Sequence, residues 1–177
     1  MNRDLIKEAS ECLAIQDVRL NNSNISVADT FDPLFPAYDS LNIQFRHGIK
    51  SHRVNEVSAS GEDGPISQKL VLYTYACGIR VVPPVLGADV LSEIEADFVA
   101  YYLIVKEISD DAIKQFGIYN VGYHVWPYWR EYVSSVATRL RLPPLTIPMY
   151  TIPKVDDAED MKTASGKRKA TSEPVTR

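Results

Sequence analysis

The sequence predicts an α+β fold, with a four-stranded antiparallel sheet followed by a short helix and a long helix. Four segments of strand character follow one another along the chain, separated by turn-forming residues. Two of them alternate apolar and polar residues, the pattern of a strand with one buried face. Helical spacing begins only after the fourth segment, and strands grouped ahead of helices favour an antiparallel sheet.

The first part of the chain predicts a helical turn, a strand and an unusual loop. Residues 2–9 predict the helical turn, and residues 13–27 predict the first strand, interrupted at the polar run NNSN. The loop at 29–40 contains two prolines and four large apolar residues, although loops are usually polar. These four are Phe31, Leu34, Phe35 and Tyr38. They either pack beneath the fold or offer an apolar surface to a partner.

Three further strands follow this loop. Residues 41–46 alternate strictly between apolar and polar side chains, and residues 66–82 are rich in β-branched and aromatic types. The polar stretch at 58–65, with two glycines, predicts a loop between these two strands. The breaker PPVLGADV at 83–90 precedes the fourth strand, at 93–105, which alternates acids with apolar residues before a buried run.

Two helices are predicted next. Ser109, followed by two acids, is a typical helix N-terminus, and Gly117 would end that short helix. In the long helix an apolar stripe starts at Trp129 and recurs at i+4, i+7 and i+11. Pro127 fits the first turn, where its missing amide is not needed. If the helix instead begins near Tyr119, Pro127 must kink it.

Composition bounds the class of protein. The 177 residues are 45% hydrophobic and 24% charged, which predicts one globular domain at 1–154 and a disordered tail at 155–177. The tail holds five acids and five bases, so the net charge of −4 belongs to the domain and argues against nucleic-acid binding. No apolar run is long enough for membrane insertion, and two cysteines indicate reduced thiols in the cytoplasm.

The sequence predicts no catalytic residue, metal site or cofactor. His47 and His52 are five positions apart, a spacing that fits neither one strand face nor one helix face, and His124 stands alone. Neither cysteine has a neighbouring base. No glycine-rich phosphate loop and no nucleophile elbow is present in the sequence.

Three acids alternate along the fourth predicted strand. Glu93, Glu95 and Asp97 follow i, i+2, i+4 spacing and should therefore share one face of the sheet. The simpler interpretation is a solvated strand face. The alternative is a docking surface for a basic partner.

A resemblance to a known family rests mainly on the segment WPYWREYVSSVATRLRLPPLTIP. It resembles the signature of SecB-type protein-export chaperones, in which an aromatic-Pro-Tyr-x-Arg-Glu helix runs through Ser and Arg into Pro-Pro-Leu. The matching residues are Pro127, Tyr128, Arg130, Glu131, Arg139, Pro143, Pro144 and Leu145. IQDVRLNN looks like the first strand of the family, with its acid at Asp17, and IEADFVAYYLIV is similar to the strand with alternating acids. The resemblance covers roughly residues 12–150.

The resemblance implies an ATP-independent holdase chaperone, not an enzyme, that binds unfolded polypeptides in protein export. It implies a homotetramer, a dimer of dimers with long helices between two eight-stranded sheets. The oligomer contacts would then be Trp126, Tyr128, Trp129, Tyr132 and Val133. The clients would be bound by Phe31, Leu34, Phe35 and Tyr38. The translocase motor SecA would dock on Asp17, Glu93, Glu95 and Asp97.

The end of the chain departs from the family. After Pro148 it has neither the second amphipathic helix of the export chaperones nor their metal-binding tail. This departure favours an alternative, a chaperone dedicated to the antitoxin of a toxin–antitoxin pair. Two hypotheses from other functional classes remain. One is a small oligomeric enzyme with a pocket built from Tyr, Arg and Glu, and the other is a structural subunit that binds no clients.

Overall fold

The computed structural model describes residues 1–32, 40–61, 64–142 and 145–152. Within these residues the chain forms three helices and one four-stranded antiparallel sheet. The elements in chain order are α1 (Arg3–Cys12), β1 (Leu13–Val27), β2 (Asn42–Gly61), β3 (Gly64–Val82), β4 (Ser92–Ile104), α2 (Asp110–Tyr119) and α3 (Val121–Arg139). The predicted α+β fold is therefore confirmed. The predicted tail at 155–177 lies outside the described residues.

The sheet has the order β1-β4-β3-β2, so β1 and β2 are its two edge strands. β1 is not interrupted at NNSN but continues through it, with irregular registers at Ile15/Asp17 and Leu20/Asn22. β2 and β3 form a hairpin longer than the sequence predicted, because pairing continues to Gly61 and Gly64. The predicted loop at 58–65 is thus mostly strand.

The two faces of the sheet differ in chemistry. The inner face, which packs against the helices, is built from large apolar and aromatic residues of the two central strands. Tyr73 and Tyr75 of β3 and Phe98 and Tyr102 of β4 are all nearly inaccessible to solvent. The outer face carries the alternate residues of the same strands, among them the three acids of β4. This is the alternation that period-two strands require.

The two shorter helices are capped as their sequences dictate. The Asn2 side chain accepts hydrogen bonds from Asp4 N and Leu5 N at the start of α1. Ser109 caps α2 by accepting from Ala112 N at 3.2 Å, as predicted. Gly117 does not end α2, which continues to Tyr119. A Cβ at this glycine would lie 2.9 Å from the Tyr73 ring, so the glycine allows helix and sheet to approach closely.

The long helix α3 begins at Val121, which agrees with the second alternative from the sequence, a start near Tyr119, and not with a start at Pro127. Pro127 lies inside the helix, where it removes one backbone hydrogen bond at a cost of about 3 kcal/mol. Burial of Trp126 and Trp129 on either side offsets that cost. The helix ends where Arg141 takes a left-handed conformation, φ 54°, and Leu142 N donates to Ala137 O at 3.0 Å.

Candidate functional site

A cavity of about 430 Å³ opens on the inner face, where the end of α1, β1 and the α2–α3 junction meet the C-terminal segment. Six of its lining residues are aromatic or histidine: Tyr102, Phe116, Tyr119, Tyr123, His124 and Tyr150. The rest are Ser10, Leu13, Ile15, Asn120 and Ile152. We call this the aromatic cavity. A concave, mostly apolar surface with a few polar groups is the usual form of a binding site.

His124 is the main polar group that α3 contributes to the cavity. Its Nδ1 lies 2.8 Å from the Tyr102 hydroxyl, on the neighbouring wall. Burial lowers the pKa of His124 and raises that of the Tyr102 hydroxyl, so both groups are neutral at neutral pH. The cavity therefore presents uncharged hydrogen-bonding groups among aromatic rings.

Residues 145–152, the C-terminal strap, form one wall of the cavity. The strap runs without helix or strand along α3, and Trp126 Nε1 donates to Pro148 O at 2.8 Å to hold it there. Tyr150 packs against Trp126, with ring centroids 5.4 Å apart, and against His47 at 5.7 Å. The strap thus ties the helix to edge strand β2.

Beneath the strap, a second aromatic cluster explains why a glycine occupies the first turn of α3. His47 Nδ1 lies 2.7 Å from the Tyr75 hydroxyl, and burial lowers the pKa of this histidine. A Cβ on Gly122 would come within 2.5 Å of the hydroxyls of both Tyr75 and Tyr150. Only glycine lets the first turn of α3 approach the sheet and the strap this closely.

An apolar strip leads away from the aromatic cavity along β1. Ile15, Leu20 and Ile25 belong to the inner face, opposite Tyr102, Phe98 and Ile94 of β4. They are 44%, 42% and 42% exposed, although Val18, between Ile15 and Leu20 on the same face, is buried. Ten residues of strand separate the first from the last, about 33 Å. Ile15 also lines the cavity, so the strip and the cavity are continuous.

The apolar loop was predicted to bind clients, and only one of its four large residues is described. Phe31 is 6% exposed and belongs to the core, which is the packing alternative left open by the sequence. Leu34, Phe35 and Tyr38 lie outside the described residues.

Sequence reasoning did not find the aromatic cavity, since its residues come from six segments. The adjacent pair Tyr123 and His124, directly before the aromatic residues that begin at Trp126, was the available signal.

The aromatic helix residues predicted to contact other subunits mostly pack within their own chain. Trp126, Trp129 and Val133 are 6%, 1% and 0% exposed. Tyr132 is partly buried against Phe98, and Tyr128 is 48% exposed. Of the five, Tyr128 therefore has the largest surface left for a partner. The outward side of α3 around it is polar: Glu131, Ser134, Ser135, Thr138 and Arg139 line a shallow depression.

The predicted acids do share the outer face of the sheet, and each of the three on β4 has a cation beside it. Arg80 pairs with Glu93 and Lys50 pairs with Asp97, both at 2.6 Å, and Arg46 pairs with Glu95. Asp17, on β1, lies opposite Tyr101 on the same face. Each of the three acids of β4 is thus paired with a cation, so this face is not the simple solvated acidic face that the sequence suggested.

In the described part of the chain, no three or more His, Cys, Asp or Glu residues are grouped as a metal ion would require. No described helix combines the length and apolar character needed to cross a membrane.

A single sheet of order β1-β4-β3-β2, with its helices gathered on one face, defines this chain as having the SecB-like fold. The SecB-like chaperone Rv1957 of Mycobacterium tuberculosis, solved in complex with a ChAD peptide from the antitoxin HigA1, superposes with a TM-score of 0.62. The two chains are 20% identical over 86% of this chain and all of the other. No protein-family model matches the sequence, and no curated protein does.

Proposed function

We propose that this protein is a chaperone that binds an extended polypeptide segment in the aromatic cavity and along the apolar strip of β1. The observation that supports the proposal most is that the cavity and the exposed residues of the strip lie on one face of the sheet and share Ile15. A strip of about 33 Å matches roughly ten residues of extended chain, whose alternate side chains would meet it. The fold shared with a SecB-like chaperone supports the same class.

The energetics suit capture and release. Each apolar side chain that a client buries contributes roughly 1.5–3 kcal/mol, and ordering a flexible segment takes back a large part. Three or four anchors contribute roughly 4.5–12 kcal/mol before that cost, so we expect an affinity in the micromolar range or weaker, which corresponds to about −8 kcal/mol or less. Binding of this kind needs no ATP, no cofactor and no bond chemistry, so we propose a holdase and not an enzyme, acting in the cytoplasm.

The test compares two pairs of exposed apolar residues on the two edge strands. Leu20→Ser with Ile25→Ser on β1 should weaken binding of a labelled, unfolded model protein at least tenfold in fluorescence anisotropy. Val54→Ser with Val57→Ser on β2 changes the same amount of exposed apolar surface and should leave binding unchanged. Equal binding by both variants and the unchanged protein would rule out the β1 strip.

Subunit contacts are the main rival use of the same strip. The family resemblance implies a homotetramer, and an edge strand is a natural site of pairing between copies. Light scattering on the β1 variant separates the two uses. A smaller assembly with unchanged client affinity would assign the strip to assembly and overturn the proposed binding site.

A client restricted to one antitoxin is the second candidate. It is favoured because the solved SecB-like chaperone is bound to an antitoxin peptide and because the sequence after Pro148 lacks the apolar stripe of the family's second helix. A competition binding experiment distinguishes a dedicated chaperone from a general one. A dedicated chaperone would bind peptides from one antitoxin far more tightly than unfolded model proteins. Similar affinities for both, together with binding to SecA, would favour general protein export.

A further inference from the structure

The three ion pairs of the outer face are asymmetric, with the cations outside and the acids beneath. The side chains of Arg46 and Lys50 are 51% and 59% exposed, whereas their partners Glu95 and Asp97 are 24% and 15% exposed. Arg80, at 34%, is likewise more exposed than Glu93, at 19%. A molecule approaching this face therefore meets guanidinium and ammonium groups before it meets carboxylates.

Small residues on β3 make this arrangement possible. Gly78 lies between Arg46 of β2 and Glu95 of β4 in the sheet register. A Cβ at this glycine would come within 2.7 Å of Arg46 Nε, so the arginine lies flat across the β3 backbone. Ala76, also small, lies between Gly48 of β2 and Asp97 of β4, and Lys50 reaches Asp97 from the irregular register between Ile49 and Ser51. Short side chains on β3 thus leave room for cations of β2 to reach acids of β4.

Two more arginines extend the same face. Arg19 donates to the Tyr101 hydroxyl at 2.5 Å and stacks over that ring at 5.4 Å. Arg53 shares a row of the register with Leu72 and Tyr101. Neither arginine has an ion pair with a described residue.

The charge of the face is opposite to that of the rest of the domain. Its described residues include five cations and four acids, a balance of +1. The cations are Arg19, Arg46, Lys50, Arg53 and Arg80, and the acids are Asp17, Glu93, Glu95 and Asp97. Because residues 1–154 carry −4 in total, everything else in the domain carries −5. The outer face is therefore the electropositive side of an acidic protein.

We infer that the outer face docks an extended acidic segment of a partner protein, with Arg46, Lys50 and Arg80 as its anchors. The acids that position these cations repeat every second residue along β4, about 6.8 Å apart. An extended segment with a carboxylate at every second residue has the same repeat. Each guanidinium carries five N–H donors and can bind a second carboxylate while it keeps the first. The inferred partner has the opposite charge to the basic one that the sequence suggested.

The probe is a labelled ten-residue peptide in which Glu alternates with Ser, measured by fluorescence anisotropy at low salt. The protein should bind it, with an affinity that falls steeply as salt is added. Arg46→Gln with Lys50→Gln should weaken binding at least tenfold. The matched control is Lys7→Gln with Lys114→Gln, which removes the same charge from α1 and α2 and should change affinity less than twofold.

The double variant Glu95→Gln with Asp97→Asn distinguishes best between the cations and the acids as the docking groups of this face. It frees the cations from their own acids, so the acidic peptide should bind several-fold more tightly. If the acids are instead the docking groups, a Lys-Ser peptide will bind the unchanged protein and lose affinity in this variant. That result would overturn the inference, as would absence of acidic-peptide binding by both proteins.

Two further outcomes also count against the inference. Tighter binding of a ten-nucleotide single strand than of the acidic peptide would assign the face to nucleic acid. Equal weakening by the Lys7 and Lys114 control would show a non-specific charge effect. The β1 strip variants should keep the acidic-peptide affinity, so failure here is distinguishable from failure of the proposed chaperone function.

Discussion

Replacing Trp129 by Ala should destabilise the chain itself and not only an assembly of chains. The indole is 1% exposed, stacks on Tyr132 at 6.2 Å and meets the Phe98 ring edge to face at 6.5 Å. Burial of an aromatic side chain removes about 150–250 Å² from water, and about 25 cal/mol per Å² gives roughly 4–6 kcal/mol. Measured losses for such core truncations are about 3–5 kcal/mol. We expect about 4 kcal/mol.

That loss is a large part of the 5–15 kcal/mol that stabilises a typical domain. With a denaturant slope of about 2 kcal/mol per M of urea, the unfolding midpoint should fall by about 2 M. Circular dichroism is the readout, because it does not depend on the indole that is removed. Tyr128→Ala, one residue away and 48% exposed, is the control and should shift the midpoint by less than about 0.5 M.

The reasoning fails if the Trp129 variant keeps its midpoint while light scattering finds smaller particles. That combination would mean that Trp129 stabilises contacts between subunits, as the family resemblance alone suggests. A fall in the midpoint at every protein concentration would place its contribution inside the chain. The Tyr128 variant would then be the one to test for weakened assembly.

Two further predictions concern the walls of the aromatic cavity. Gly122→Ala should displace Tyr150 and lower the free energy of unfolding by about 1–3 kcal/mol. The strain of overpacking should outweigh the gain in helix propensity, which is about 1 kcal/mol. Urea unfolding measures this change, and an equal or higher midpoint would contradict the prediction. Burial lowers the pKa of His47 and His124, so in mildly acidic solution the unfolded chain binds more protons than the folded chain. The folded state is therefore not penalised above pH 6.5 and loses stability as the pH falls below it. The thermal midpoint should drop from pH 7.5 to pH 5, less so in His47→Gln with His124→Gln, and an unchanged slope in that variant would refute it.

The strands could be predicted from sequence because their signal is local. Alternation at 41–46 and 93–98 reports directly which residues face the core, and the sheet confirms both strands. The start of α3 could be predicted only as two alternatives, at Pro127 or near Tyr119, and the structure agrees with the second. Pro127 marks a first turn by every local rule, and only the tertiary burial of Trp126 and Trp129 allows six helical residues ahead of it.

The charges of the outer face could likewise be predicted from the sequence only in part. That Glu93, Glu95 and Asp97 share a face follows from their spacing alone, and the structure confirms it. That each has a cation beside it does not follow, because Arg46 and Lys50 lie almost fifty residues earlier. Only the register between three strands brings these groups together. The sequence therefore gives the sign of the charge on one strand, but not the sign of the net charge on the sheet face to which that strand belongs.

The aromatic helix acquires two roles from this arrangement. One side, through Trp126 and Trp129, buries the centre of the sheet and holds the strap by the hydrogen bond to Pro148. The first turns, through Tyr123 and His124, form a wall of the cavity. A binding surface on a rigid support loses less entropy when it captures a flexible segment. The aromatic density of the helix thus serves the stability of the chain first, and through that stability the cavity we propose for its client.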